Sequence, residues 1–142
     1  MAEKELKIRI KNPIKIGIAP CTGECCPGGL IARLATRKVI DELDSIKIDA
    51  MCLGFYLVSG GKSRYYYPVV TIDGCSKCCS RRSTEINTDK LACSLEVADI
   101  LSEDMTEGGP MSIGDITNEH VKAVEKVAKI LRKKVLDVLE EQ

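Results

Sequence analysis

At the start of the chain, Leu6, Ile8 and Ile10 alternate with Lys7, Arg9 and Lys11, a period of two that predicts a short strand with one wet face. Pro13 interrupts that pattern, so residues 1–13 are expected to form an N-terminal arm or edge strand ahead of a single α/β domain over 14–142. The isoleucine-rich run Ile14 to Pro20 predicts the first core strand, and it stops at the turn-forming stretch "CTGECCPGG". From Leu30 the period changes to that of a helix. Leu30, Ile31, Leu34, Ala35, Val39 and Leu43 share one face, with Arg33, Arg37, Lys38 and Glu42 around it.

The same reading continues along the chain. Ile46 to Gly54 predicts a second strand, Val69 to Ile72 a third and Lys90 to Leu95 a fourth. The segment from Phe55 to Gly74 holds no amphipathic helix. It is compatible either with a β-hairpin turning at Gly60-Gly61 or with a loose crossover into the third strand. A short helix is expected over Ser76 to Glu85, and a loop over Glu103 to Gly114, which holds three glycines and a proline. Val121, Val124, Ala128, Leu131, Val135 and Val138 then mark the buried stripe of a long final helix, with Thr117 or Asn118 as its N-cap. Strands alternating with helices give the expected fold class: a single-domain α/β protein with a mostly parallel four-stranded sheet flanked by helices.

Composition narrows the function classes. Lysines and arginines balance aspartates and glutamates, so no net field draws the chain to nucleic acid or a membrane surface. Basic pairs such as Arg81-Arg82 read as solvated faces. No apolar run approaches the ~20 residues that span a bilayer. The opening "MAEKELKIRIKN" does not resemble a secretion signal, so a cytoplasmic location is expected. Whether the chain binds a protein partner or a second copy of itself is left open.

The compartment matters because of the eight cysteines: Cys21, Cys25, Cys26, Cys52, Cys75, Cys78, Cys79 and Cys93. In a reducing cytosol such clusters read as metal-binding or redox-active before they read as disulfides. Laid on the predicted strands, Cys21, Cys52, Cys75 and Cys93 fall at or near strand ends. In a parallel sheet those ends share one edge, where ligands of such folds bind. Cys25, Cys26, Cys78 and Cys79 lie in the loops or first helical turns that follow. The spacings Cys75-x-x-Cys78, Cys75-x-x-x-Cys79 and Cys21-x-x-x-Cys25 let one turn offer two sulfurs to one ion. A helix N-terminus beside Cys78 and Cys79, with Lys77, Arg81 and Arg82 nearby, is expected to lower a thiol's pKa. That effect serves a metal ligand or a nucleophile equally. Cys93, inside a strand, reads as a small buried hydrophobe.

Asp73 precedes the Gly74-Cys75 turn, where its carboxylate can accept backbone N–H bonds, and Gly74 provides room that a Cβ would take. The stretch "PVVTIDGCSKCCSRRSTE" resembles the central signature of the DGC-domain family, described as zinc-binding and named for the triplet matched here by Asp73-Gly74-Cys75. The family's next cysteine matches Cys79, and its Thr-Glu pair matches Thr84-Glu85. The upstream "IAPCTG" and "MCLG" resemble its strand-end cysteines through Cys21 and Cys52, so the likeness covers roughly Ile14 to Asp99.

The resemblance implies a zinc site of Cys21, Cys52, Cys75 and Cys79, and thiolate ligands also suit another soft metal or an iron–sulfur cluster. Cys25, Cys26 and Cys78 are surplus to that pattern. The surplus supports an alternative: thiol–disulfide or sulfur- or selenium-transfer chemistry with Cys75, Cys78 or Cys79 as nucleophile. Other signals are weaker. "SGGKS" at Ser59 to Ser63 ends like a phosphate-binding loop, but Tyr56 stands where the motif wants glycine. Tyr65-Tyr66-Tyr67 reads as packing or a pocket wall, and His120, the sole histidine, as a surface residue.

Overall fold

A computed structural model describes residues 13–59 and 66–142. The arm at 1–12, most of the phosphate-loop-like stretch and Tyr65 lie outside the described residues. The elements are β1 (Ile16–Pro20), α1 (Pro27–Glu42), β2 (Ile48–Ala50), α2 (Phe55–Ser59), β3 (Val69–Asp73), α3 (Cys79–Asn87), β4 (Leu91–Glu96), α4 (Val97–Ile100), α5 (Glu103–Thr106), a 3-10 turn (Ile113–Asp115) and α6 (Asn118–Glu140). The four strands form one sheet in the order β2-β1-β3-β4. Every pairing is parallel, with Ile18 opposite Ala50, Pro20 opposite Ile72 and Asp73 opposite Glu96. The α/β architecture expected from the alternation of periods is therefore the observed one.

Strand alternation sorts the side chains onto two faces. Ile16, Ile18, Val70 and Ile72 join Ile31, Ala35 and Val39 of α1 and Val127, Leu131 and Val135 of α6 in the main core. Ala19 and Val69 point the other way and pack with Met51, Tyr56 and Tyr67 in a smaller cluster. On that second face the Tyr56 hydroxyl hydrogen-bonds the Thr84 hydroxyl at 2.9 Å, tying α2 to α3. Ser80 Oγ donates to the Ala19 carbonyl at 2.5 Å, tying α3 to β1. The sheet is thus covered on both sides, as parallel sheets require. Each large apolar side chain buried in it contributes about 1.5–3 kcal/mol.

Several expectations need correction. Strands β2 and β3 both run parallel to β1 and Phe55–Ser59 is helical, not a hairpin strand, while the Gly60-Gly61 turn of the hairpin alternative lies outside the described residues. The second strand is only Ile48–Ala50. Helix α1 begins at Pro27 rather than Leu30, because proline fits the first helical position and Gly28 and Gly29 are helical despite their turn-like look. Helix α3 begins at Cys79 rather than Ser76, since Cys78 takes a left-handed conformation, φ 52°, that cannot continue a helix. The segment expected as a loop from Glu103 includes α5 and the 3-10 turn. On α6 the buried stripe runs through Ala123 and Val127, while Val121 is exposed. Thr117 is the N-cap, and His120 closes a capping box by accepting the Thr117 N–H at 3.0 Å.

Candidate functional site

The chain leaves β1 toward β2 on one side and returns past β1 to β3 on the other. The β1 and β3 carboxyl ends therefore flank the point where strand order reverses, and a crevice forms there in folds of this kind. Cys21 follows β1 directly, and Gly74-Cys75 follows β3. Both loops are held together by backbone rather than by side chains. A Cβ on Gly74 would lie 2.1 Å from the Gly29 nitrogen, and a Cβ on Gly28 would lie 2.3 Å from the Gly74 carbonyl oxygen. Only glycine allows that approach. Helix α5 supports the contact from outside through Thr106, whose Cβ would be 3.2 Å from a Cβ on Gly28.

Cys21, Cys26 and Cys75 lie along this seam, Cys26 interacting with each of the other two. Cys21 is half-buried, and burial pushes its pKa up. The amide N–H groups of Gly74 and Gly23 act on its sulfur in the opposite direction, while Asp73 and Cys26 add to the rise. Cys26 is the N-cap residue of α1. Burial raises its pKa as well, the Gly29 and Gly28 amides oppose the rise, and interaction with the Cys75 side chain adds to it. Cys26 and Cys75 thus sit on two loops whose backbones touch at this seam, near enough for their side chains to interact. All eight cysteines are unpaired, with Cys25, Cys52 and Cys79 exposed.

Of the four cysteines that the resemblance points to, Cys21 and Cys75 follow β1 and β3 at the strand crossover. Cys52 follows β2 and Cys79 opens α3, at the same edge of the sheet. Among the described residues, no three or more histidine, cysteine, aspartate or glutamate side chains stand close enough to hold a metal ion as they are placed. Cys93 lies within β4 opposite Val70 and packs against the main core, as its reading as a small core hydrophobe expected, rather than near the strand end.

Cys78 also differs from expectation. It is buried at 1% exposure, and its thiol donates a hydrogen bond to the Glu96 carboxylate. Burial, the Glu96 hydrogen bond and the Glu96 charge push its pKa up to about 12, where the helix N-terminus was expected to lower it. The reason is that the first amides of α3 are already used. Ser80 N–H donates to Asp73 Oδ1 at 2.7 Å, and Arg81 N–H to Asp73 Oδ2 at 3.0 Å. Asp73 is itself buried, so its pKa is raised by desolvation, against the pull of those two amides. A cavity of about 150 Å3 between Asp73, Cys78, Arg81, Ser94, Glu96 and Asp99 adjoins this network.

Sequence reasoning had placed Asp73 as the loop-shaping carboxylate, and it is. It missed the pairing of Cys26 with Cys75, although Cys26-Pro27 is a legible N-cap and first-turn signal. It also missed Glu96, which reaches Cys78 only through the β3–β4 register.

Fold and site together define a class: a doubly wound α/β domain with cysteines gathered at its strand crossover. The chain matches no family model, no curated protein and no solved structure.

Proposed function

We propose that this protein binds zinc or another soft metal ion through thiolates at the β1–β3 crevice, in a reducing, cytoplasmic setting. Cys21 and Cys75 are the central ligands. Cys26 and the exposed Cys52 and Cys79 are the candidates to complete the shell, with Cys79 and Cys52 favoured by the resemblance to the DGC-domain family. The observation that carries the reading is the close backbone contact, at Gly28, Gly29 and Gly74, of the two loops that carry Cys21, Cys26 and Cys75. The donor chemistry fits a soft ion, since thiolate sulfur is what zinc and its neighbours take most readily.

The fit is one of chemistry and not of a preformed cage. Burial keeps the Cys21 and Cys26 thiols protonated at neutral pH. Neutral thiols have no charge to gather around, so an arriving ion must displace their protons and draw the sulfurs in. Nearby carboxylates are already engaged, Asp73 with α3 and Glu96 with Cys78. The thiols are therefore the free donors of the site.

The test is a zinc titration of reduced protein in weak buffer, following released protons. The reading expects saturable binding that releases protons and weakens as pH falls. Replacement of Cys21 or Cys75 by serine should weaken it at least tenfold. Absence of binding in the reduced protein would overturn it. Transfer chemistry by Cys78 finds no support in its environment, since the thiol is buried and bonded to a carboxylate.

A further inference from the structure

Cys26 and Cys75 are far apart in sequence but sit on loops that touch in space. Their approach is set by rigid groups: Gly74, next to Cys75, lies against the Gly28-Gly29 backbone, two residues after Cys26. Both thiols are partly exposed, so a small oxidant can reach them. Two other cysteines are withdrawn from the site, Cys78 being bonded to Glu96 in the interior and Cys93 packed against the main core, while Cys21 stands beside Cys26 on its own loop.

We propose that Cys26 and Cys75 form a redox gate on the thiolate site: two-electron oxidation joins them in a disulfide and removes both from metal binding. The consequence for metal rests on the proposed function, but the bond itself does not. With a low-molecular-weight disulfide, RSSR, as oxidant, one of the two thiols loses its proton and attacks a sulfur of RSSR. The RS–SR bond breaks, and one RS⁻ leaves and takes up a proton. The second cysteine then loses its proton and attacks the cysteine sulfur of the mixed disulfide. The Cys26–Cys75 bond forms, and the second RS⁻ leaves as RSH. Two thiols and one RSSR become one protein disulfide and two RSH, the electrons passing to RSSR. The two loops that carry the thiols are already in backbone contact. Reduction reopens the site.

The experiment uses the full chain, metal-free and reduced, incubated with glutathione disulfide. Remaining thiols are then alkylated, and the cross-linked peptides are mapped by mass spectrometry. Part of each sample is titrated with zinc against a colorimetric chelator. The gate predicts a dominant Cys26–Cys75 cross-link, a zinc affinity reduced at least tenfold, and recovery on treatment with a phosphine reductant. Cys26→Ser should fold, because serine is a preferred N-cap residue, and circular dichroism checks that it does. It should show no cross-link to Cys75. A dominant bond between other cysteines, or full zinc uptake with the Cys26–Cys75 bond formed, would overturn the gate. If the reduced protein takes up no zinc, the metal reading falls and the gated function with it. In that case the mapped bond still reports separately on the dithiol.

Discussion

Replacing Gly74 by alanine probes the seam that brings the thiols together. The added Cβ would stand 2.1 Å from the Gly29 nitrogen, 2.4 Å from the Gly28 carbonyl carbon and 2.5 Å from the Gly29 Cα. Comfortable carbon contacts begin near ~3.5 Å, so the loops must part by about an ångström. The obstructing atoms belong to the backbone of α1's first turn, which cannot rotate away as a side chain would. Overpacking of this kind costs about 1–3 kcal/mol, and an immovable neighbour puts Gly74→Ala near the upper end, about 3 kcal/mol. That is a large part of a typical domain's stability, ~5–15 kcal/mol. The assay is urea unfolding of the reduced protein, with an unchanged slope and a lower midpoint as the signature of lost stability. Gly109→Ala is the control, since nothing lies within 4 Å of its Cβ position, and its change should stay within about 0.5 kcal/mol. Gly74→Ala should also slow formation of the Cys26–Cys75 cross-link. A variant within about 0.5 kcal/mol of wild type, cross-linking at the same rate, would refute the backbone seam.

Cys78 should be the slowest of the eight cysteines to alkylate at pH 7.5 in a mass-spectrometric time course. A rise from the ordinary 9.0 to about 12 lowers its thiolate fraction about a thousandfold, in addition to its burial. Glu96→Gln removes the charge that holds the proton there and should speed Cys78 labelling. Labelling of wild-type Cys78 among the first thiols would contradict this account. The sign of the same shift gives a pH dependence. A thiol with a raised folded pKa contributes stability that is complete below 9 and is lost as pH rises toward 12, by at most ~4 kcal/mol. Asp73 follows the same sign with a different window: its contribution is present below the ordinary 3.8 and is lost as pH rises through its raised value. The stability of wild type relative to Asp73→Asn should therefore fall with pH across that window, and a flat difference in acid unfolding curves would contradict the burial argument.

The sheet was legible because its strands carry local signals. Ile16 and Ile18, or Val70 and Ile72, are aliphatic pairs with period two between turn residues, and parallel order follows from the helices between them. The coarse placement of Cys21, Cys52 and Cys75 at one edge follows from the same pattern. What was not legible depends on register and on conformation. Glu96 meets Cys78 because Asp73 and Glu96 are paired residues of neighbouring strands, and no spacing within either segment encodes that pairing. The left-handed φ of Cys78 fixes where α3 begins, yet a cysteine gives no warning of it in the way a glycine would. Gly28 and Gly29 read as loop because glycine weakens helices. Their reason for being there is a contact with Gly74 that only the folded chain shows.

The central claim, a thiolate metal site at the β1–β3 crevice, is tested most directly by native mass spectrometry with elemental analysis, on protein purified under reducing conditions without chelator. The account predicts about one zinc or comparable soft ion per chain, lost when Cys21 and Cys75 are both changed to serine in a variant that keeps its circular dichroism spectrum. Metal-free wild-type protein that also takes up no added zinc would contradict it.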